Sequence, residues 1–426
     1  MNAVHLRPPA TLTQPGIVQA SIPLASSKSE SNRALIIDAL TSFQCDLKNL
    51  STARDTQTMI RLLKSDDRTA DVLDAGTTMR FLTAYFAITG QQKTMTGTPR
   101  MCERPIGILV DALRTLGADI TYLNKDGYPP LQLNGFTPSS TNQLSIRGDV
   151  SSQYISALLM IAPYLPNGLV LELTGAVGSR PYIEMTLEQM VYFGAEVQAN
   201  WEAKTIMVAS KAYTPKPYAI ESDWSGASYW YSVAALARDE TAEIILLGLK
   251  AKSLQGDSAI VHIMRLLGVE STFIESGVRL TKIPAKDSLA WDFTDCPDLA
   301  QTVAVCAAKK GVTLHLTGIE SLKIKETDRV AALQAELQKI GAELVELELN
   351  HRYEVRLASN SHTVPAVIKT YDDHRMAMAF APVAMQEEII IDEPGVVAKS
   401  YPSFWDDLAQ VANVAFSQAE IAPPTP

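Results

Sequence analysis

Lysine and arginine recur in this chain at places that read as helix starts, where the backbone already presents about half a positive charge. In SSKSESNRALIIDAL (26–40), Ser26, Ser27 and Ser29 can each cap a helix, and Leu35, Ile36, Ala39 and Leu40 recur at helical spacing. Lys28 and Arg33 nevertheless sit in the first turns, where an exposed cation costs roughly 0.3–1 kcal/mol. In LKIKETDRVAALQAEL, Val330, Leu333, Leu337 and Ile340 predict a helix with Lys325, Glu326 and Arg329 in its first turn. Lys325 and Arg329 would then share a face four residues apart, with Glu326 three residues before Arg329. In YDDHRMAMAFAPVAM, Asp372 or Asp373 can cap, and His374 and Arg375 precede an almost wholly apolar run. Such a helix is buried, so its polar start belongs at a surface or in a cleft.

Other starts offer neutral donors. DAGTTMRFL presents the backbone N–H groups of a turn beginning at Gly76, and VSSQYIS presents Ser151, Ser152 and Gln153. GSRPYIEMTL places Ser179 and Arg180 before Pro181, and RMCERPIGILVDAL places Arg100, Glu103 and Arg104 before a helix expected to begin at Pro105. Taken singly, each stretch reads equally well as a solvated helix end. Seven in one chain, bearing hydroxyls and cations, predict an enzyme for anionic substrates, because helix N-termini and guanidinium groups bind phosphate and carboxylate. A carboxylate among the cations, Glu326, favours chemistry over simple binding.

The elements that must hold these residues repeat. LVDALRTLGADITYL, TLEQMVYFGAEVQAN, VHIMRLLGVESTFI and LQAELQKIGAELVEL each run from an amphipathic helix through a glycine to alternating strands. Their glycines, Gly117, Gly194, Gly268 and Gly341, are 77, 74 and 73 residues apart, which predicts a repeated α/β subdomain. AELVELELNHRYEVRL reads as a β-hairpin. IRGDVSSQYISALLMIAPYL and IESDWSGASYWYSVAALA also match one another, and the second starts at a plausible domain crossover.

A chain of 426 residues exceeds one ordinary core. Its 46% hydrophobic and 20% charged residues describe a globular protein, and a net charge of −10 argues against a broad nucleic-acid or membrane surface. Cys45, Cys102, Cys296 and Cys306 lie far apart, neither a disulfide framework nor a zinc pattern. No signal peptide and no apolar run long enough to span a membrane is recognised, so a cytoplasmic enzyme is expected.

SKSESNRAL, DAGTTMR, ERPIGILVDAL, SSQYISALLM, SRPYIEMTL, IKETDR, DDHRMAMAF and AKSYPSFW occur in this order. From about residue 20 to 410 the chain closely resembles the EPSP synthase (3-phosphoshikimate 1-carboxyvinyltransferase) family of enolpyruvyl transferases. The resemblance implies an α/β fold of α+β repeats: a two-domain inside-out α/β barrel, each domain having three βαβαββ units around a pseudo-threefold axis. It implies one discontinuous domain of residues 1–20 plus 222–426, a second of 21–221, and substrates bound in the cleft between them. It also implies transfer of the enolpyruvyl group of phosphoenolpyruvate to the 5-hydroxyl of shikimate 3-phosphate, releasing phosphate, with no metal or organic cofactor. A monomer without nucleic-acid or membrane partners is expected.

Carried over by motif, the shikimate 3-phosphate site resembles Lys28, Ser29, Arg33, Ser151, Ser152, Gln153, Ser179, Asp298 and Lys325, with Tyr182 nearby. The phosphoenolpyruvate site resembles Lys28, Gly76, Arg104, Gln153, Arg329, Arg375 and Lys399. Asp298 matches the carboxylate that takes the hydroxyl proton, Glu326 the acid that protonates the methylene, and Lys28 their partner in proton transfer. The chain departs from common family residues at Asp74, where Asn is frequent, and at Phe81, where Pro is frequent. The related transferase acting on UDP-N-acetylglucosamine typically has Lys-Asn where this chain has Lys28-Ser29, and a mobile loop whose cysteine acts in proton transfer where this chain has MCERPIG, whose Arg104 suits phosphoenolpyruvate in the shikimate enzyme.

Overall fold

The structure, a computed structural model, describes residues 2–9, 18–358 and 363–417. The tail SQAEIAPPTP, expected from composition to be disordered, lies outside the described residues from position 418 on.

All four helix–glycine–strand segments form. Helices Gly107–Leu116, Arg180–Tyr192, Ile260–Leu266 and Arg329–Gln338 are followed by strands Ala118–Tyr122, Val197–Asn200, Val269–Ile274 and Ala342–Glu348. Gly117 shows why the punctuation is glycine: it closes its helix at φ 113°, where a side chain is strained. Each strand turns back into an antiparallel partner; Ala342–Glu348, for example, pairs with Arg352–Leu357.

These hairpins belong to four-stranded sheets of one topology. Thr69–Asp71 lies parallel to Thr94–Thr96, which pairs antiparallel with Leu131–Phe136, and that strand with Ala118–Tyr122. Along the chain the elements run β-α-β-α-β-β. The sheets containing Leu169–Thr174, Glu243–Leu247 and Thr313–Thr317 repeat this order. A fifth sheet has it too, but there Ile389–Asp392 pairs with Ala3–Arg7 from the other end of the chain, which pairs in turn with Asn413–Phe416. A sixth is reduced to Leu47–Lys48 parallel to Tyr218–Ala219.

The chain divides into two compact units. One comprises the described residues through Ala25, Ser222–Ser253 and the described residues from Asp257 on; the other comprises Ser26–Glu221 with Leu254–Gly256. Gln19–Ile22 belongs to the first because it pairs in parallel with Glu243–Leu247. Among the described residues each unit has its own apolar core and three of the six sheets.

In the Ser26–Glu221 unit, helices Lys28–Leu40, Gly76–Ile88 and Ser152–Ile161 pack against one another and are buried on nearly every side. Trp224–Leu236, Ala300–Lys310 and His374–Phe380 do the same in the other unit. A helix walled in all round can present chemistry only at its ends. That explains why the polar motifs read from the sequence cluster at helix starts.

Two expected helix starts move. The helix predicted to include Lys325 and Glu326 begins only at Arg329, because Asp328 caps it by accepting from Ala331 N at 3.0 Å. Lys325 is extended, at the end of the short 3₁₀ turn Glu320–Ile324, so its helical i,i+4 relation to Arg329 does not exist. The helix expected to start at Pro105 starts at Gly107, and a separate short helix, Pro99–Cys102, precedes it.

Candidate active site

In the Ser26–Glu221 unit, the starts of the three buried helices are tied together. Lys28 is the first residue of its helix, capped by Ser27, and its Nζ donates to Asp55 Oδ2 at 2.9 Å. The Asp55 carbonyl accepts from Thr78 Oγ1 at 3.2 Å, in the first turn of Gly76–Ile88. Gln153 Nε2 reaches Thr77 Oγ1 at 3.0 Å from the third helix, whose cap is Ser151. Ser152 is buried in that helix's first turn. Gly76–Ile88 has no side-chain cap, so its first N–H groups are available to an anion.

Arg104 packs directly on Gly76: a β-carbon there would lie 2.8 Å from Arg104 Nη1. Arg80 sets this approach, donating to the Gly76 carbonyl at 3.1 Å and the Pro105 carbonyl at 3.0 Å. Tyr154 OH also donates to Pro105 O, at 2.5 Å. The two departures from common family residues are accommodated locally. Asp74 accepts from Arg54 Nη2 at 2.9 and 3.1 Å, and the buried Phe81 ring lies 5.4 Å from the Arg33 guanidinium carbon.

Arg33 is 2% exposed. Its Nε donates to Thr186 Oγ1 at 2.7 Å, Nη1 to the Ser29 carbonyl at 2.9 Å, and Nη2 to Ser156 Oγ at 3.2 Å and the Tyr182 carbonyl at 3.1 Å. Burial pulls its proton affinity down to about 10, with Tyr182 and Glu30 partly opposing. Ser179 precedes the helix start at Arg180 in a left-handed conformation, φ 52°, and its side chain makes no capping hydrogen bond. Arg180 itself turns away, to Glu184 at 2.8 Å and over the Trp201 ring.

The other unit assembles a denser charge cluster. Arg329, also 2% exposed, donates from Nε to Asp373 Oδ2 at 2.6 Å, from Nη1 to Asp298 Oδ1 at 2.9 Å and from Nη2 to Glu326 Oε2 at 2.8 Å. Arg375 Nη2 holds the other Asp298 oxygen at 2.8 Å, and Lys399 Nζ lies 3.3 Å from Glu326 Oε1. Asp373 is the cap of His374–Phe380, accepting from Arg375 N at 2.8 Å. Burial disfavours an ionised Asp298, but Arg375, Lys325 and Arg329 outweigh it and hold the carboxyl well below the usual range. Burial equally opposes charge on Arg329, yet Asp373, Glu326 and Asp298 raise its proton affinity above the ordinary value.

Thus Lys28, Ser29, Arg33, Gly76, Arg104, Ser151, Ser152, Gln153 and Ser179 lie on one unit, and Asp298, Lys325, Glu326, Arg329, Arg375 and Lys399 on the other. Sequence reasoning missed Asp55, which looks like an ordinary acid in a first helical turn. It also missed Asp257, fully enclosed and hydrogen-bonded by Ser225 Oγ. Burial, and then the charge of Asp298, push Asp257 up to about 7. Nothing around QGDSAI in one sequence signals that environment. Among the described residues no cluster of three or more His, Cys, Asp or Glu side chains could hold a metal ion, and no helix is long and apolar enough to cross a membrane.

The family model for EPSP synthase (3-phosphoshikimate 1-carboxyvinyltransferase) matches residues 12–65 and 64–408. The 3-phosphoshikimate 1-carboxyvinyltransferase of Bacteroides fragilis (strain YCH46) is 49% identical over 404 residues, covering 93% of this chain and 96% of that protein. That of Cellvibrio japonicus is 37% identical over 423 residues, covering 93% and 97%. A solved structure of EPSP synthase from Acinetobacter baumannii superposes with a TM-score of 0.75 at 18% identity, covering 98% of this chain and all of that one. At that identity the likeness speaks for the fold.

Proposed function

The chain belongs to the EPSP synthase family, and from that premise we propose how its residues divide one reaction. The enzyme transfers the enolpyruvyl group of phosphoenolpyruvate to the 5-hydroxyl of shikimate 3-phosphate, releasing phosphate. The observation that carries the division is the cluster in which Asp298 and Glu326 share Arg329 while Arg375 and Lys399 hold their remaining oxygens.

Asp298 takes the 5-hydroxyl proton as that oxygen attacks C2 of phosphoenolpyruvate. Glu326 delivers a proton to C3, giving a tetrahedral adduct; the Glu326 carboxylate then takes a proton back from C3 as phosphate leaves with the proton Asp298 received, and the enol ether remains. Glu326 divides its oxygens between Arg329 and Lys399. An incoming phosphate or carboxylate competes for the same cations, and its negative charge raises the proton affinity of Glu326. Binding of the substrate thereby makes the acid that the reaction needs.

Lys28, Gly76, Arg104, Gln153, Arg329, Arg375 and Lys399 hold phosphoenolpyruvate in this reading. Lys28, Ser29, Arg33, Ser151, Ser152, Gln153, Ser179, Asp298 and Lys325 hold shikimate 3-phosphate, and Lys28 assists proton transfer. A monomer acting in the cytoplasm completes the proposal, in keeping with the chain's net charge of −10. Phosphate release tests the assignment: it should require shikimate 3-phosphate and phosphoenolpyruvate together. Equal release with UDP-N-acetylglucosamine as acceptor would overturn it.

A further inference from the structure

The turn that delivers Asp373 and Arg375 has an improbable backbone. Asp373 N donates to the Thr370 carbonyl at 2.9 Å, closing a four-residue turn. Its two central residues, Tyr371 and Asp372, have φ of 54° and 55°. Positive φ at both centres is the primed turn that glycine, asparagine and aspartate favour. A tyrosine at the first centre is out of character, and non-glycine residues held this way cost on the order of 1–3 kcal/mol each. Such a turn persists only where its surroundings over-determine it.

The surroundings do so through one carboxylate. Glu336 is completely buried. Its Oε1 accepts from Tyr371 OH at 2.7 Å, and its Oε2 accepts from Lys369 N at 3.1 Å and Lys339 Nζ at 2.7 Å. Lys339 Nζ also donates to the Val367 carbonyl at 2.9 Å, in the strand Ala366–Ile368 that leads into the turn. Glu336 lies on helix Arg329–Gln338, seven residues after Arg329 and therefore on the same face two turns on. One helix thus grips the turn twice: Arg329 at its start holds Asp373, and Glu336 near its end holds Lys369 and Tyr371.

We infer that Glu336 and Tyr371 form a clamp that positions Asp373, Arg329 and Arg375 for phosphoenolpyruvate, without touching substrate. Without the clamp the turn relaxes toward negative φ. Asp373 then leaves Arg329 Nε and the Arg375 backbone, and the two guanidinium groups lose the orientation that a planar anion requires.

The inference rests on the functional reading above, and its test separates the two. Glu336→Gln and Tyr371→Phe should each raise the KM for phosphoenolpyruvate, measured as phosphate release at saturating shikimate 3-phosphate, by about tenfold. Binding of shikimate 3-phosphate alone should not change. Adding Asp372→Gly, an exposed site where glycine removes the cost of positive φ, should recover part of the lost affinity in the Glu336→Gln background. Tyr371→Phe deletes one half-exposed hydroxyl and remains informative if Glu336→Gln does not fold. Unchanged phosphoenolpyruvate affinity in a folded variant would overturn the clamp, as would equal weakening for both substrates. Phosphate release by the unaltered enzyme tests the functional reading on its own.

Discussion

Arg33 and Arg329 are equally buried and sit at the starts of their respective units' polar clusters, yet their surroundings differ in kind. Arg33 spends its hydrogen bonds on two hydroxyls and two carbonyls, with Glu30 acting at longer range, and burial weakens its hold on its proton. Arg329 meets three carboxylates, which strengthen that hold. The first arrangement leaves positive potential uncompensated and suits an anion that is bound and kept unchanged. The second is already balanced internally, so an arriving anion must redistribute charge among Asp298, Glu326 and Asp373. In the proposed division, binding and proton transfer would be built from the same residue type by changing what faces it.

Breaking the balanced side should have the largest effect. Glu326→Gln or Asp298→Asn should lower turnover, read as phosphate release at saturating substrates, by about 10²–10⁴-fold, with much smaller changes in substrate affinity. Near-wild-type turnover would remove that carboxylate from the chemistry. Stability sharpens the contrast next. Arg329→Met takes a cationic partner from three carboxylates and should cost about 3–5 kcal/mol in urea unfolding, whereas Arg33→Met takes a donor from neutral groups only and should cost about 1–3 kcal/mol. Equal losses would mean that the carboxylates around Arg329 do not distinguish the sites.

The balanced side should also carry a signature in pH. Asp257 holds its proton up to about 7, far above an unfolded aspartate. The folded chain then binds more protons than the unfolded chain between about pH 4 and 7, so this group's stabilisation is complete below about 4 and is lost as pH rises through 7. Asp257→Asn should flatten that slope, gaining on the wild type from pH 5 to pH 8 by on the order of 1 kcal/mol per pK unit removed. Parallel melting-temperature profiles would refute the assignment. The smallest effect is expected on the other unit, where Gly76→Ala should push Arg104 aside. Phosphoenolpyruvate affinity should fall about tenfold, or 1.4 kcal/mol, with the pH dependence of turnover unaltered; a shifted pH profile would place Arg104 in proton transfer.

Much of this arrangement was legible in the sequence because its signals are local. Helical spacing around Val330 and Leu333, the glycines that end helices, and cations beside capping residues need only a few neighbours to be read. The resemblance named the candidate residues, and those signals say why they stand at helix starts. Local signals failed where partners come from afar. The fifth sheet escaped the repeat because the strand that completes it, Ala3–Arg7, lies almost four hundred residues from its neighbours. Lys325 was drawn into a helix because periodicity does not show that Asp328 caps first. Asp55, Asp257 and Glu336 look unremarkable in sequence, since their importance is a matter of burial and of who faces them.

That fifth sheet has a consequence for synthesis. Ser26–Glu221 carries almost everything its unit needs in one continuous stretch, so it can fold while the ribosome is still translating the remainder. The other unit cannot complete its sheet until Asn413–Phe416 has emerged to pair with Ala3–Arg7, made about four hundred residues earlier. Until Ile389–Asp392 and Asn413–Phe416 are made, that strand lacks its native partners, and so distant a closure is of the kind that folds slowly and exposes strand edges.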